Sequence, residues 1–218
     1  MLDISNGSAQ QLDLEPVGVE VAASVAAPPI RPVNTLPHRV ALRDSLPARA
    51  RVRAPVPSRG IRALAERFEY EDDERVRAAG EAARRRGYYT RHEFLRICGW
   101  KTRRSKPKVA SNGEQDVERA TRAAFETQDE AERIEALLEL KGVGVPTASV
   151  LLHFASPREY PILDVRALES LGQRGRSTYS VSYWLKYLDA CRRLAGEHGV
   201  SLRVLDKALW QYSKERDR

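Results

Sequence analysis

The stretch from Leu140 to Asp164, LKGVGVPTASVLLHFASPREYPILD, constrains the fold of this chain more than any other. Gly142 and Gly144 separate a helical pattern ending at Leu140 from an apolar helical run opening at Pro146. Proline suits a helix start because its missing N–H would have no intrahelical partner there. Glycines let a backbone turn sharply and approach another backbone closely. The spacing therefore predicts helix, tight hairpin, helix. Backbone amides at the start of the second helix form an anion site that suits a nucleic-acid phosphate. Lys141, Gly142, Val143, Gly144 and Thr147 are the candidate contacts.

Leu140–Asp164 resembles the signature of the helix-hairpin-helix DNA glycosylase superfamily, in which a Leu-Pro-Gly-Val-Gly type of hairpin precedes a catalytic Asp. Asp164 follows Leu140 by 24 positions, the interval of the endonuclease III-like and adenine-mismatch types. The run Tyr160-Pro161-Ile162-Leu163-Asp164 is similar to that of the adenine-mismatch branch. The resemblance implies an all-α fold, double-stranded DNA as partner, and Asp164 as the catalytic carboxylate. It also implies that a monovalent cation can sit on the hairpin carbonyls. Bifunctional members carry a Schiff-base Lys two residues after the second hairpin glycine, where this chain has Pro146. The expected enzyme is therefore monofunctional.

The rest of the chain agrees with a helical protein. Residues 1–58 hold eight of the 12 prolines and no Phe, Trp or Tyr. Such a stretch buries too little apolar area to offset its ordering entropy, so it reads as a flexible or loosely docked arm. Arg43, Arg49, Arg51 and Arg53 make its second half basic, which suits either a solvated tail or a strand lying along DNA. From residue 59 the pattern is helical and the fold class is all-α. Glu71 to Glu74 precede a helix ending in Arg84–Arg86, charges that complement a helix dipole. Thr90 with Glu93, and Thr127 with Glu130, have capping spacing. Asp116 to Phe125 reads as a further helix, and Ser201 as the cap of a last one burying Leu202, Leu205, Leu209 and Tyr212.

Net charge is +7, which fits a nucleic-acid partner without identifying one. Cys98 and Cys191 cannot supply the four thiolates of an iron–sulfur cluster, so no such cofactor is expected. No apolar run is long enough to span a bilayer, and residues 1–18 lack the basic start of a secretory signal. A reduced, cytoplasmic, monomeric protein is expected.

Between two helices, Gly99 to Lys108 concentrates Lys101, Arg103, Arg104, Lys106 and Lys108 around Trp100. Cations bind phosphates and an aromatic stacks on a base, so Trp100, Lys101, Arg103 and Arg104 are candidate DNA contacts; a solvated loop with a tucked Trp100 is the alternative. Arg166 suits either a phosphate or a pair with Glu169. Tyr183 and Tyr187 suit either a base pocket or the core, and His153, a third candidate for that pocket, suits packing better. Residues 173–179 form a polar basic loop that suits the pocket edge. Arg203, Lys207, Trp210 and Lys214 share one helix face, either solvated or a second nucleic-acid surface. Glu69, Glu71 and Glu93 are in the region where relatives supply a general acid, with nothing to choose among them.

Cleavage of an N-glycosidic bond passes through an oxocarbenium-like sugar, which a carboxylate in a dry pocket stabilises. Asp164 suits that task, and it also suits the N-cap of a helix starting at Val165. Two functions of different class follow. The first is a monofunctional DNA glycosylase acting on a flipped damaged, mismatched or modified base. The second is a catalytically inactive helix-hairpin-helix DNA-binding protein. A hairpin that binds protein instead is a third possibility.

Overall fold

The computed structural model describes residues 60–68, 74–102 and 104–216. The expected arm at 1–58, together with Glu69, Glu71 and Arg103, lies outside the described residues. Among the described residues there are ten helices and no strand. These are α1 (Ile61–Glu66), α2 (Glu74–Arg86), α3 (Arg91–Lys101), α4 (Lys106–Ala110) and α5 (Glu114–Glu126), followed by α6 (Glu130–Leu138), α7 (Val145–Ala155), α8 (Val165–Ser170), α9 (Val181–Glu197) and α10 (Leu202–Arg216). The all-α expectation holds.

α7 is the hub. Every residue in it except Pro146 is buried, a pattern that fits a helix enclosed on all sides rather than an amphipathic one. α2, α3 and α6 pack around it, while α1, α8 and α9 gather on α10, and α6 also meets α9. Two contacts let helices approach α7 closely. A Cβ at Gly80 of α2 would stand 2.1 Å from the Phe154 carbonyl oxygen, so only glycine fits that crossing. The Phe154 ring in turn meets Trp100 edge-on, with centroids 5.0 Å apart.

Local signals account for most helix ends. The Thr90–Glu93 capping box forms in full at α3. The Ser201 hydroxyl accepts from the Val204 amide at the start of α10. The Thr127 expectation is corrected: Asp129 caps α6, its Oδ1 accepting from Ala131 N at 2.7 Å and Glu132 N at 3.0 Å. Asp is the better cap when both residues are at hand, and Thr127 instead donates to Glu132 Oε2 at 2.6 Å. The C-terminal end of α5 is closed by Arg133, fully buried, whose guanidinium donates to the carbonyls of Ala124 and Thr127. A cation at that end offsets the orphan carbonyls and the helix dipole.

Gly80→Ala tests the α2–α7 crossing. In an exposed helix this change gains about 1 kcal/mol through propensity. Here the added methyl overlaps backbone, and a net loss of about 1–3 kcal/mol is expected in urea unfolding. A neutral or stabilising result would show that α2 can lift away from Phe154.

Candidate active site

The hairpin expected at 140–146 is present between α6 and α7. Gly142 has φ +77°, and a Cβ there would also press on Lys108 Cβ at 2.8 Å and Val109 N at 3.0 Å. Gly144 differs from expectation. It sits in extended backbone with φ −105°, as the N-cap of α7, and its nearest neighbour to an added Cβ would be Pro146 Cδ at 3.9 Å. Gly142 is therefore required by the turn, whereas Gly144 leaves the helix start bare. Pro146 is the second residue of α7, where it still displaces no helical hydrogen bond.

Asn112 clamps this hairpin. Its Oδ1 accepts from Lys141 N at 2.8 Å, and its Nδ2 donates to Lys141 O at 2.9 Å and Val109 O at 2.8 Å. The Leu140 carbonyl accepts from Val143 N. Two hairpin carbonyls thus each accept one hydrogen bond inside the chain. Val143 and Thr147 have buried side chains, and their amides donate to the Leu140 and Gly144 carbonyls. Lys141 and Gly144 are exposed at the tip.

Asp164 lies at the end of an extended segment, Tyr160–Leu163, which is buried throughout. This segment has no neighbouring strand, so side chains satisfy its backbone. His153 Nδ1 pairs with Tyr160 O at 2.7 Å, Ile162 N donates to Asp206 Oδ1 at 3.1 Å, and Leu163 N donates to Ser149 Oγ at 3.0 Å. Tyr187 OH donates to Ile162 O at 2.8 Å. Pro161 has no N–H to satisfy. The chain then delivers Asp164 as the N-cap of α8, its Oδ1 accepting from Arg166 N at 3.0 Å. The other oxygen, Oδ2, is 2.6 Å from Lys101 Nζ. Cap and pocket carboxylate are the same side chain.

These groups border a small cleft with about 70 Å³ of enclosed space. Phe68, Trp100 and Trp210 supply aromatic walls, with Ile162 and Ala167 between them. Lys101, Asp164, Arg203 and Asp206 supply the charges. The mix of apolar walls with a few polar groups is that of a ligand site. Phe68 and Trp210 meet edge-on at 5.2 Å.

Several expectations change. Gly99, Trp100 and Lys101 belong to the last turn of α3 and Lys106–Ala110 to α4, so the basic stretch is largely helical rather than one loop. Lys101 turns inward to Asp164, and Trp100 lines the cleft. Arg104 is exposed, as a phosphate contact requires. Tyr183, Tyr187 and His153 do not line the cleft. Tyr187 and His153 are committed to the segment before Asp164, and Tyr183 packs on Tyr179 beneath the Arg176 guanidinium. Residues 173–179 do not line it either. Arg166 lies over Trp210 with its guanidinium 5.5 Å from the ring, and Glu169 accepts from Ser213 Oγ at 2.6 Å. Glu93 is held by Arg86 at 2.7 Å and by its own cap, which leaves it a structural role. Cys98 and Cys191 are free and buried. Among the described residues no group of three or more His, Cys, Asp or Glu side chains could hold a metal ion, and no helix is long and apolar enough to cross a membrane.

Asp206 is the functional candidate that sequence reasoning missed. It is buried, accepts from Ile162 N, and pairs with Arg203 at 3.3 Å. Burial pushes its carboxyl up to about 6, against the opposing pull of Arg203, the Ile162 amide and Lys101, and the charge on Asp164 adds to the rise. A signal existed: Asp206 lies one turn from Leu202 and beside Leu205 and Leu209, on the apolar face of α10. A carboxylate on such a face needs a buried partner.

The raised Asp206 value has a measurable consequence. A carboxyl that holds its proton more tightly when folded contributes stability in full below its unfolded value, and that contribution is lost as pH rises through about 6. Relative to Asp206→Asn, the native protein should therefore lose about 2–3 kcal/mol between pH 4 and pH 7. Paired urea titrations across that range read the difference directly, and a pH-independent difference contradicts the assignment.

Comparison of the chain with protein-family models, curated proteins and solved structures finds no match.

Proposed function

We propose that this protein is a monofunctional DNA glycosylase. It takes a damaged, mismatched or modified base flipped from double-stranded DNA, hydrolyses the N-glycosidic bond and leaves an abasic site. The observation that carries this reading is Asp164, fixed as a helix cap with its second oxygen on an aromatic-walled cleft. A base cannot react inside the stack, and an extruded one needs flat apolar walls for its faces. Trp100, Trp210 and Phe68 fit that need. The sugar attached to the base then lies near the carboxylate, which stabilises its developing positive charge and orients water for attack. As the C1′–N bond breaks, its electron pair leaves with the base. Water supplies hydroxide to C1′ and its proton passes to Asp164. The resemblance of Leu140–Asp164 to helix-hairpin-helix glycosylases, and the exposed hairpin tip at Lys141 and Gly144, support DNA as the partner.

Lys101 is the one amine bordering the cleft among the described residues. Bound as an ammonium to Asp164, it has no lone pair to offer C1′, so hydrolysis is favoured over an imine route. The same ion pair also favours a second reading, a DNA-binding protein without catalysis, because it neutralises the carboxylate in this state.

Duplexes carrying uracil, alkylated, oxidised, mismatched and hypermodified bases separate the readings. Strand cleavage only after alkali is expected for at least one of them, with Asp164→Asn slowing base release by about 100-fold or more and sparing duplex affinity. Cleavage without alkali, with borohydride trapping lost in Lys101→Gln, would assign imine chemistry to Lys101. Binding with no release from any duplex, and no effect of Asp164→Asn, would leave the binding protein.

A further inference from the structure

Two carboxyl groups border the cleft, and they reach it from different elements. Asp164 caps α8, while Asp206 belongs to the second turn of α10. The extended segment before α8 seats both: the Ile162 amide donates to Asp206 Oδ1, and Asp164 follows Ile162 by two residues. Trp210, one of the aromatic walls, stands four residues after Asp206, so ring and carboxyl share one face of α10. Asp206 Oδ2 is 3.3 Å from Arg203 Nη1, and a carboxyl oxygen that accepts one hydrogen bond still has a lone pair to carry a proton. Charged groups face Asp206 from three elements: Arg203 on α10, Lys101 on α3 and Asp164 at the start of α8. Tyr187 and Cys191 of α9 face it too, and burial keeps both of them protonated.

We propose that Asp206 is the general acid of this cleft, giving a proton to the base as its glycosidic bond breaks. The inference rests on the proposed glycosylase reading and supplies a group that it lacks. A neutral base that departs with the bonding pair becomes an anion, and it leaves far faster when a proton reaches it in the transition state. A base stacked on Trp210 has Asp206 at its edge, while its sugar lies by Asp164. The two carboxyl groups therefore divide the work by environment. Asp164, paired with the Lys101 ammonium, serves the sugar as a carboxylate. Asp206, which burial pushes up to about 6, serves the base as an acid. In the reaction the C1′–N pair passes to the base and the Asp206 proton binds that base. Water adds hydroxide to C1′ and gives its proton to Asp164. Exchange with solvent then removes the Asp164 proton and restores that of Asp206.

Single-turnover base release from pH 5 to 8 tests this on the full chain, with duplexes carrying uracil, 8-oxoguanine, adenine opposite 8-oxoguanine, or 7-methylguanine. The acid form of Asp206 is lost as pH rises, so release of a neutral base by the native protein should fall about tenfold per pH unit above about 6. That reading needs no variant. Asp206→Asn keeps an acceptor for the Ile162 amide and should slow release about 100-fold at pH 5.5, with no further fall above pH 6. A native profile without that fall would overturn the acid and keep the glycosylase, and so would a fall of the same shape in Asp206→Asn. Release confined to 7-methylguanine, which is already cationic and departs without a proton, would do the same. No release of any of these bases by the native protein would overturn the acid and the glycosylase reading together.

Discussion

The cleft depends on how four buried residues, Tyr160 to Leu163, satisfy their backbone without a sheet. A buried amide or carbonyl left unpaired costs about as much as a lost hydrogen bond, so an extended segment inside a helical protein is viable only with dedicated partners. Here α7 supplies Ser149 and His153, α9 supplies Tyr187 and α10 supplies Asp206. Three helices are thereby tied to one strand-like segment, and the segment ends at Asp164. The position of the carboxylate is a consequence of that satisfied backbone. A side chain placed this way is held by its supports and costs little reorganisation when charge develops beside it.

What was legible in the sequence was local. The Thr90–Glu93 box, the Ser201 cap and the Asp164 cap each depend on residues within four positions of one another. The clamps were not legible, because Ser149–Leu163, Ile162–Tyr187 and Ile162–Asp206 join residues 14, 25 and 44 apart. Tyr187 and His153 have the composition of a base pocket, and a buried hydroxyl or imidazole looks the same whether it meets a ligand or a backbone carbonyl. The aromatic walls come from three distant segments, the end of α1, the last turn of α3 and the middle of α10, so no spacing could collect them. Asp206 alone left a trace, a carboxylate among leucines on an apolar helix face.

The Lys101–Asp164 pair bears on chemistry as well as architecture. An ion pair at 2.6 Å, with the ammonium largely buried and the carboxylate partly so, marks the point beside Oδ2 as one that accepts a positive charge. Under the proposed reading the sugar develops its charge there. Lys101 then occupies in the resting protein the place that the oxocarbenium centre takes in the reaction, and substrate entry exchanges one cation for another. Such an exchange lowers the cost of holding a partly buried carboxylate, which is high when its partner is simply removed. It also explains why a wall-lining lysine is compatible with hydrolysis. Lys101 Nζ also donates to the Leu163 carbonyl at 3.4 Å, a second partner for it when the sugar takes its place beside Asp164. Under that reading attack falls to water, and the carboxylate that Lys101 releases is the group that orients it.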